Sequence, residues 1–296
     1  MNQLWRLHTR PDSEKDVDAT DFCIKNKVIG IGWPVDTESD ITDWLQYEKL
    51  VKEQSPNWLK DNSFMPAMNA LIDNMEVEDI IWTRSYNGIY YLGECKGPWK
   101  YTGNPIFRKA DIVNIRECIW TEVGVETAVP GKVVSAFIPS RTLQRVNDDS
   151  ALGYSQLLLS KPVTVKITNI FSLLSAVDIE DVVALYLQEC HGYHLIPSSR
   201  SRRNDTIKYE FILTNKNGRE AAVQVKSGHE SINLCDYEEL AKTLKVFLFC
   251  TSDDYVGKTN ADIESISTKT IRDFMNSYES MLPLKIRRWK TISDSL

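Results

Sequence analysis

The segment YEFILTNKNGREAAVQVKSG, Tyr209 to Gly228, contains two β-like runs joined by a connection rich in Asn and Gly. Side chains alternate faces along a strand, and directly opposed residues of a hairpin share a face. On the second run Ala222, Gln224 and Lys226 point one way, while Ala221, Val223 and Val225 point the other, toward a core. The turn decides which residues of the first run join them. A two-residue turn at Asn217-Gly218 would set Glu210 opposite Val225 and bury a carboxylate among apolar neighbours, at considerable cost. A three-residue loop, Lys216-Asn217-Gly218 with a left-handed glycine, sets Glu210 opposite Gln224 and Lys208 opposite Lys226. The second register gathers a carboxylate, an amide oxygen and an ammonium on one face and is the one expected.

Such a group suits phosphodiester hydrolysis. Mg²⁺ takes oxygen ligands and keeps waters, so a carboxylate, an amide oxygen and the scissile phosphate suffice to hold it. The ion acidifies a water and offsets charge developing on phosphorus, and a compact ammonium such as Lys226 orients the water or stabilises the transition state. Glu180, on a helix upstream, is a further acid within reach of the same ion. The block resembles the acid, spacer and (Asp/Glu/Gln)-x-Lys signature of PD-(D/E)XK nucleases, in the Gln-x-Lys form of Mrr-like restriction enzymes. The resemblance covers roughly the last 130 residues. It implies Glu210 as first metal ligand, Gln224 as second, Glu180 as the helix-borne acid, Lys226 as catalytic lysine, and Mg²⁺ or Mn²⁺ as cofactor. Glu210 stands where Asp is commoner, and Gln224 where many members carry an acid, which removes a charge from the site. Asp205 is the rival for the first-acid position and is expected in a loop outside the hairpin.

Outward from this block, apolar residues at helical spacing over Ile170 to Glu189 end before Gly192, a residue suited to the position past a helix end. Strands are expected at Tyr193 to Pro197, Ile207 to Thr214 and Glu220 to Lys226, a helix at Asp236 to Thr243, a buried strand at Val246 to Cys250, and a last helix near Thr268 to Ser280. The order is helix, three strands, helix, strand. Basic residues cluster at Arg200, Arg202 and Arg203, which are candidate phosphate contacts, and at Lys285, Arg287, Arg288 and Lys290.

Residues 1–145 read as a mostly β domain, with 146–168 as a linker and 169–296 as the nuclease domain, giving an α+β or α/β chain of two domains. Front strands are expected at Gln3 to His8, Val28 to Trp33, Asp79 to Arg84, Ile89 to Cys95, Ile112 to Trp120 and Lys132 to Phe137, with helices near Ile41 to Glu53 and Ser63 to Asn74. Asn87-Gly88 marks a hairpin turn, and a curled sheet or small barrel closes the domain. The runs VIGIGW, MEVEDIIWTRSYNGIYYLGECKGPWKY and VVSAFIP resemble the PUA-like group, including EVE and SRA-type readers, whose β-barrel holds a nucleobase. A base pocket needs aromatic faces and a few polar groups. Trp33, Trp82, Trp99 and Tyr101 are candidate walls, and Arg84 and Ser85 candidate polar contacts.

The chain is 42% hydrophobic and 26% charged, with net charge -6, a globular composition with no global electrostatic pull toward nucleic acid. No run approaches 18 apolar residues and the N-terminus has no basic segment before an apolar core, so a cytoplasmic protein without membrane contact is expected. The six cysteines lack metal-ligand spacing and read as reduced, packed thiols. Gly30 and Gly32 form a G-x-G without the third glycine of a dinucleotide fingerprint, and His8, His191, His194 and His229 are dispersed. The combined expectation is a modification-dependent, type IV restriction-like DNA endonuclease acting as a homodimer or beside a separate motor protein. The alternatives are an RNA-directed nuclease and a non-catalytic nucleic-acid-binding protein with a degenerate nuclease fold.

Overall fold

The computed structural model describes residues 2–9, 17–165, 169–201, 209–228, 230–258 and 260–295. The chain is mixed α/β and divides into two compact units, Met1–Thr168 and Asn169–Leu296. No helix among the described residues is long and apolar enough to cross a membrane, and all six cysteines are free thiols.

The first unit is built on strands β1 (Leu4–Leu7), β2 (Val28–Ile31), β3 (Ile80–Arg84), β4 (Tyr90–Cys95), β5 (Lys100–Tyr101), β6 (Asn114–Gly124) and β7 (Leu143–Arg145). They form one sheet in the order β2-β6-β4-β3-β1-β7, with β5 also on β6. The long β6 makes the curl. Its first residues pair with β2, through Asn114 opposite Ile31, and its later ones with β4, through Cys118 opposite Cys95. Among the described residues β2 and β7 do not pair, so of the two closures expected, a curled sheet or a small barrel, the sheet is a curled half-barrel.

Both faces of this sheet are apolar and covered. One carries Trp5, Ile29, Ile31 and Ile81, where Tyr47 and Val51 of a helix over Trp44–Gln54 (α2) and Phe64 of another over Phe64–Asn69 (α3) close the core; a separate cluster packs Ala19 and Cys23 of the preceding helix, Ala19–Lys25 (α1), with Val28 and Ile115, near α4 (Pro105–Lys109). The other carries Leu4, Ile80, Trp82, Tyr90 and Leu92. Covering that second face are two helices that correct the sequence reading. Residues 132–137, expected as a strand, form α5 (Gly131–Ala136), entered from Pro130, with Val133 buried. An apolar run this short fits either period, and its valines favour strand only weakly. Residues 146–168, expected as a linker, contain α6 (Asp149–Leu158), capped by Asp148 on Ala151 N and holding Ala151 and Leu152 in the core.

The second unit begins with α7 (Ala176–His191), whose start is fixed by a reciprocal capping box between Ser175 and Asp178 and whose end is fixed by Gly192 at φ 68. It starts later than the apolar pattern suggested, because Ile170–Ser172 forms a separate helical turn. Strands β8 (Tyr193–Leu195), β9 (Phe211–Asn215) and β10 (Glu220–Lys226) follow as an antiparallel meander. After β11 (Ile232–Asn233) comes a turn, Leu234–Tyr237, and then the short α8 (Glu238–Ala241). Next are β12 (Lys245–Cys250), β13 (Tyr255–Val256), β14 (Ile263–Ile266), α9 (Thr268–Ser277) and α10 (Leu284–Ser295).

The main sheet runs β14-β12-β10-β9-β8, with β10, β12 and β14 parallel, while β11 and β13 form a small sheet of their own. The expected helix, three-strand, helix, strand order is present. Strand β14 and helix α10 extend it beyond what was read from the sequence. Strand β10 lies at the centre, flanked by β9 and β12, which is why its backbone is well placed to present side chains in fixed register.

Candidate active site on strands β9 and β10

The β9–β10 register places Phe211 opposite Val223, Ile212 opposite Ala222 and Thr214 opposite Glu220. The ladder closes through Asn215 N to Arg219 O at 3.0 Å and Gly218 N to Asn215 O at 2.9 Å, with Gly218 at φ 75. This is the three-residue loop, and the paired register runs as far as Phe211 opposite Val223, with Glu210 just before β9. The side chains of Glu210 and Gln224 meet: Gln224 Nε2 donates to Glu210 Oε1 at 2.7 Å and to Val225 O at 3.1 Å. Gln224 Oε1 accepts no hydrogen bond among the described residues. The ladder is irregular where Glu210 sits, since Glu210 N donates to Val223 O at 2.8 Å.

Gln224 is only 5% exposed, so this face of β10 is not a solvated polar stripe. In parallel pairing Gln224 stands beside Leu248 and Ala222 beside Val246. Val246 and Leu248 belong to the apolar cluster that Leu234, Tyr237 and Ala241 roof over. A buried amide requires partners, and here a carboxylate supplies one. Tyr237, which the sequence did not single out, is close enough to feel that carboxylate. Its phenol is pushed up by burial first, then by Asp236 and Glu210. Only the packing of the segment after β11 over this face brings Tyr237 in, and no local sequence signal announces it.

Glu180 of α7 faces the same carboxylate. Its pKa is raised, chiefly by burial and further by the charge of Glu210, against the opposing hydrogen bond from Arg200. Arg200 bonds Glu180 Oε2 at 3.0 Å and Asp181 Oδ1 at 2.8 Å, and its guanidinium lies 5.8 Å from the centre of the Phe211 ring. Burial works against the guanidinium charge, yet the two carboxylates hold it more firmly protonated than usual. Arg200 is therefore engaged with acids and not offered to a phosphate. Arg202, Arg203, Asp205, Lys208 and His229 lie outside the described residues.

Lys226 shares the Gln224 face of β10 by alternation and forms an ion pair with Glu230 at 3.2 Å, both side chains substantially exposed. A pair of this kind contributes little and exchanges readily. In the second basic cluster two of the four residues are paired: Lys285 with Asp178 at 3.0 Å, and Lys290 with Glu279 at 2.9 Å and Asp294 at 3.1 Å.

Among the described residues no three His, Cys, Asp or Glu side chains gather as a metal-holding group. The donor set here is different, two carboxylates and an amide oxygen. These hard oxygens suit Mg²⁺ or Mn²⁺, and two carboxylates that repel each other across a partly buried space are what a divalent cation relieves. The residues present fit such an ion.

The candidate base-reading residues of the front unit do not come together. Trp82 is fully buried and donates Nε1–H to Ser155 Oγ at 2.9 Å. Trp99 packs edge-on to Tyr47 and donates to Asn114 Oδ1 at 3.3 Å, and Tyr101 is buried with its hydroxyl on Val35 O at 2.9 Å. These three are core, held by aromatic packing and satisfied polar tips. Ser85 bonds Asn87 Oδ1 and Ile89 O to shape the hairpin loop. Arg84 lies over the rings of Tyr90 and Phe137. Trp33 lines a cavity of about 560 Å³. No protein-family model and no curated protein matches the chain.

Proposed function

We propose that the chain is a divalent-metal-dependent endonuclease of the PD-(D/E)XK kind, acting on DNA that carries modified bases. The observation that carries the reading is the 2.7 Å contact of Gln224 with Glu210, in the register that also places Lys226 on the same face of β10. Glu210, Gln224 and Glu180 would hold the cation. When bound, it would supply charge neutralisation and an acidified water. The chain's own part is to fix these oxygens. The β9–β10 ladder holds Glu210 against Gln224, burial removes competing solvent, and Lys226, on an exposed and weakly paired stem, can turn from Glu230 to a phosphate oxygen. The front unit, in this reading, is a PUA-like reader that selects a modified base.

One such site cuts one strand, so a double-strand cut calls for a second copy of the chain or action beside a separate motor protein. A second reading is favoured by the Arg200 bridge to Glu180 and Asp181: a non-catalytic nucleic-acid-binding protein in which arginine has taken the cation's place. Digestion of DNAs containing 5-methylcytosine, hydroxymethylcytosine, glucosylated or plain cytosine separates the two, with Mg²⁺ or Mn²⁺ supplied. The nuclease reading expects cleavage of at least one modified DNA by wild type and none by Lys226→Ala. Intact substrates throughout support the binder. A matched RNA duplex in the same assay tests the sugar preference.

A further inference from the structure

Arg200 stands on a short helical turn, Pro197–Ser201, whose backbone is stitched to β9. Ile196 N donates to Ile212 O at 3.1 Å, and Ile212 N donates to Ser199 Oγ at 2.9 Å. The main chain just before Arg200 is therefore held to the sheet, and its long side chain is the part with freedom to turn. Two nitrogens of the guanidinium serve two different acids. Nη2 donates to Glu180 Oε2 at 3.0 Å and Nη1 to Asp181 Oδ1 at 2.8 Å, while the group lies over the ring of Phe211, the residue after Glu210. The three side chains are unequally wet: Glu180 is 18% exposed, Arg200 29% and Asp181 38%. The bond to Glu180 is thus the inner one and the bond to Asp181 the outer one.

The inner bond engages an acid that a bound cation would also need. Burial and the charge of Glu210 both work against an ionised Glu180, and the hydrogen bond from Arg200 opposes them. A carboxylate whose charge is already offset by a guanidinium is a poorer ligand for a dication, and a second cation brought to it is repelled by the first. The bond is also free to exchange. Both of its partners are part exposed, so turning the Arg200 side chain strands no charge in apolar surroundings. Asp181 can keep hold of the other nitrogen, which leaves the guanidinium tethered and paired after the inner bond opens.

We propose that Arg200 is a tethered internal competitor for the divalent cation: its bond to Glu180 closes the site in the resting chain, and cation binding opens that bond while the bond to Asp181 persists. The inference rests on the cation-holding role proposed for Glu180, Glu210 and Gln224 and adds the regulation of that site. It differs from an arginine that has replaced the cation for good, because the closed state yields to enough of the ion. Apparent affinity for the cation then falls in proportion to the fraction of chains in which the bond is open.

Calorimetric titration of the full chain with MnCl₂, free of nucleic acid, tests this by the sign of the change. Arg200→Ala is expected to bind Mn²⁺ about tenfold tighter than wild type, the scale of one partly exposed charge-assisted bond. Arg200→Lys separates the bond from the charge. It keeps the positive charge but loses the planar fork that grips two acids at once, so it is expected to bind Mn²⁺ tighter than wild type and less tightly than Arg200→Ala. Circular dichroism verifies the fold of both variants. Arg200→Ala binding no tighter than wild type means that the arginine orients Glu180 or is incidental, and Arg200→Lys matching wild type means repulsion at a distance in place of the bond; either result overturns the inference. Failure of all three proteins to take up Mn²⁺ removes the metal site and the competitor together. Proteins that bind Mn²⁺ in the expected order but cut no DNA remove only the nuclease reading, and a wild type that cuts while Arg200→Ala binds no tighter removes only the competitor.

Discussion

Gln224 and Glu210 face one another across the β9–β10 ladder, 2.7 Å from amide nitrogen to carboxylate oxygen, with the amide 5% exposed. Replacing Gln224 by Ala leaves a partly buried carboxylate without its donor. A loss of about 1–3 kcal/mol in urea unfolding is expected. Gln224→Glu sets two carboxylates at the same contact, so it should destabilise without divalent ions and recover on adding Mg²⁺.

The raised pKa of Glu180 gives a pH signature. The folded chain holds that proton more tightly than the unfolded chain, so its contribution to stability is fullest at acid pH and is lost as pH rises through the window between the ordinary carboxylate pKa and the raised folded value. Glu180→Gln does not titrate. Its melting temperature relative to wild type should rise from about pH 4 to about pH 7 in chelator, as read by thermal melts. A saturating divalent ion should close the gap, since binding only the folded state stabilises it by about 2.7 kcal/mol at a hundredfold excess over Kd.

The hairpin loop is open to test by itself. A Cβ at Gly218 meets nothing within 4 Å, but φ is 75. Gly218→Ala should therefore cost about 1–2 kcal/mol from backbone conformation alone, with the Glu210–Gln224 register and any cleavage activity retained.

Trp82 distinguishes core from pocket wall. Trp82→Ala removes a fully buried indole and its bond to Ser155, and should cost about 3–5 kcal/mol. Trp58→Ala, at a half-buried position packed on Phe64, should cost clearly less than Trp82→Ala.

Parts of this structure were legible in the residues, and the reasons are physical. The β9–β10 register followed from side-chain parity and from the cost of burying Glu210 beside Val225, both local constraints. Residues 132–137 were misread because Val133 and Val134 sit in a run too short for either period to declare itself. Trp82, Trp99 and Tyr101 were unreadable for another reason: an aromatic residue looks the same in a core as in a cage until its neighbours are known. Tyr237 reaches Glu210 only through packing over the sheet, so no spacing rule could have found it.

The claim on which the account depends is that Glu210, Gln224 and Glu180 together hold a divalent cation. Calorimetric titration of the full chain with Mn²⁺ tests it most directly. A single site per chain in wild type, abolished in a folded Glu210→Gln variant and weakened in Glu180→Gln, is the predicted result. Wild type that takes up no Mn²⁺, or a Glu210→Gln variant that binds it equally well, would contradict the account.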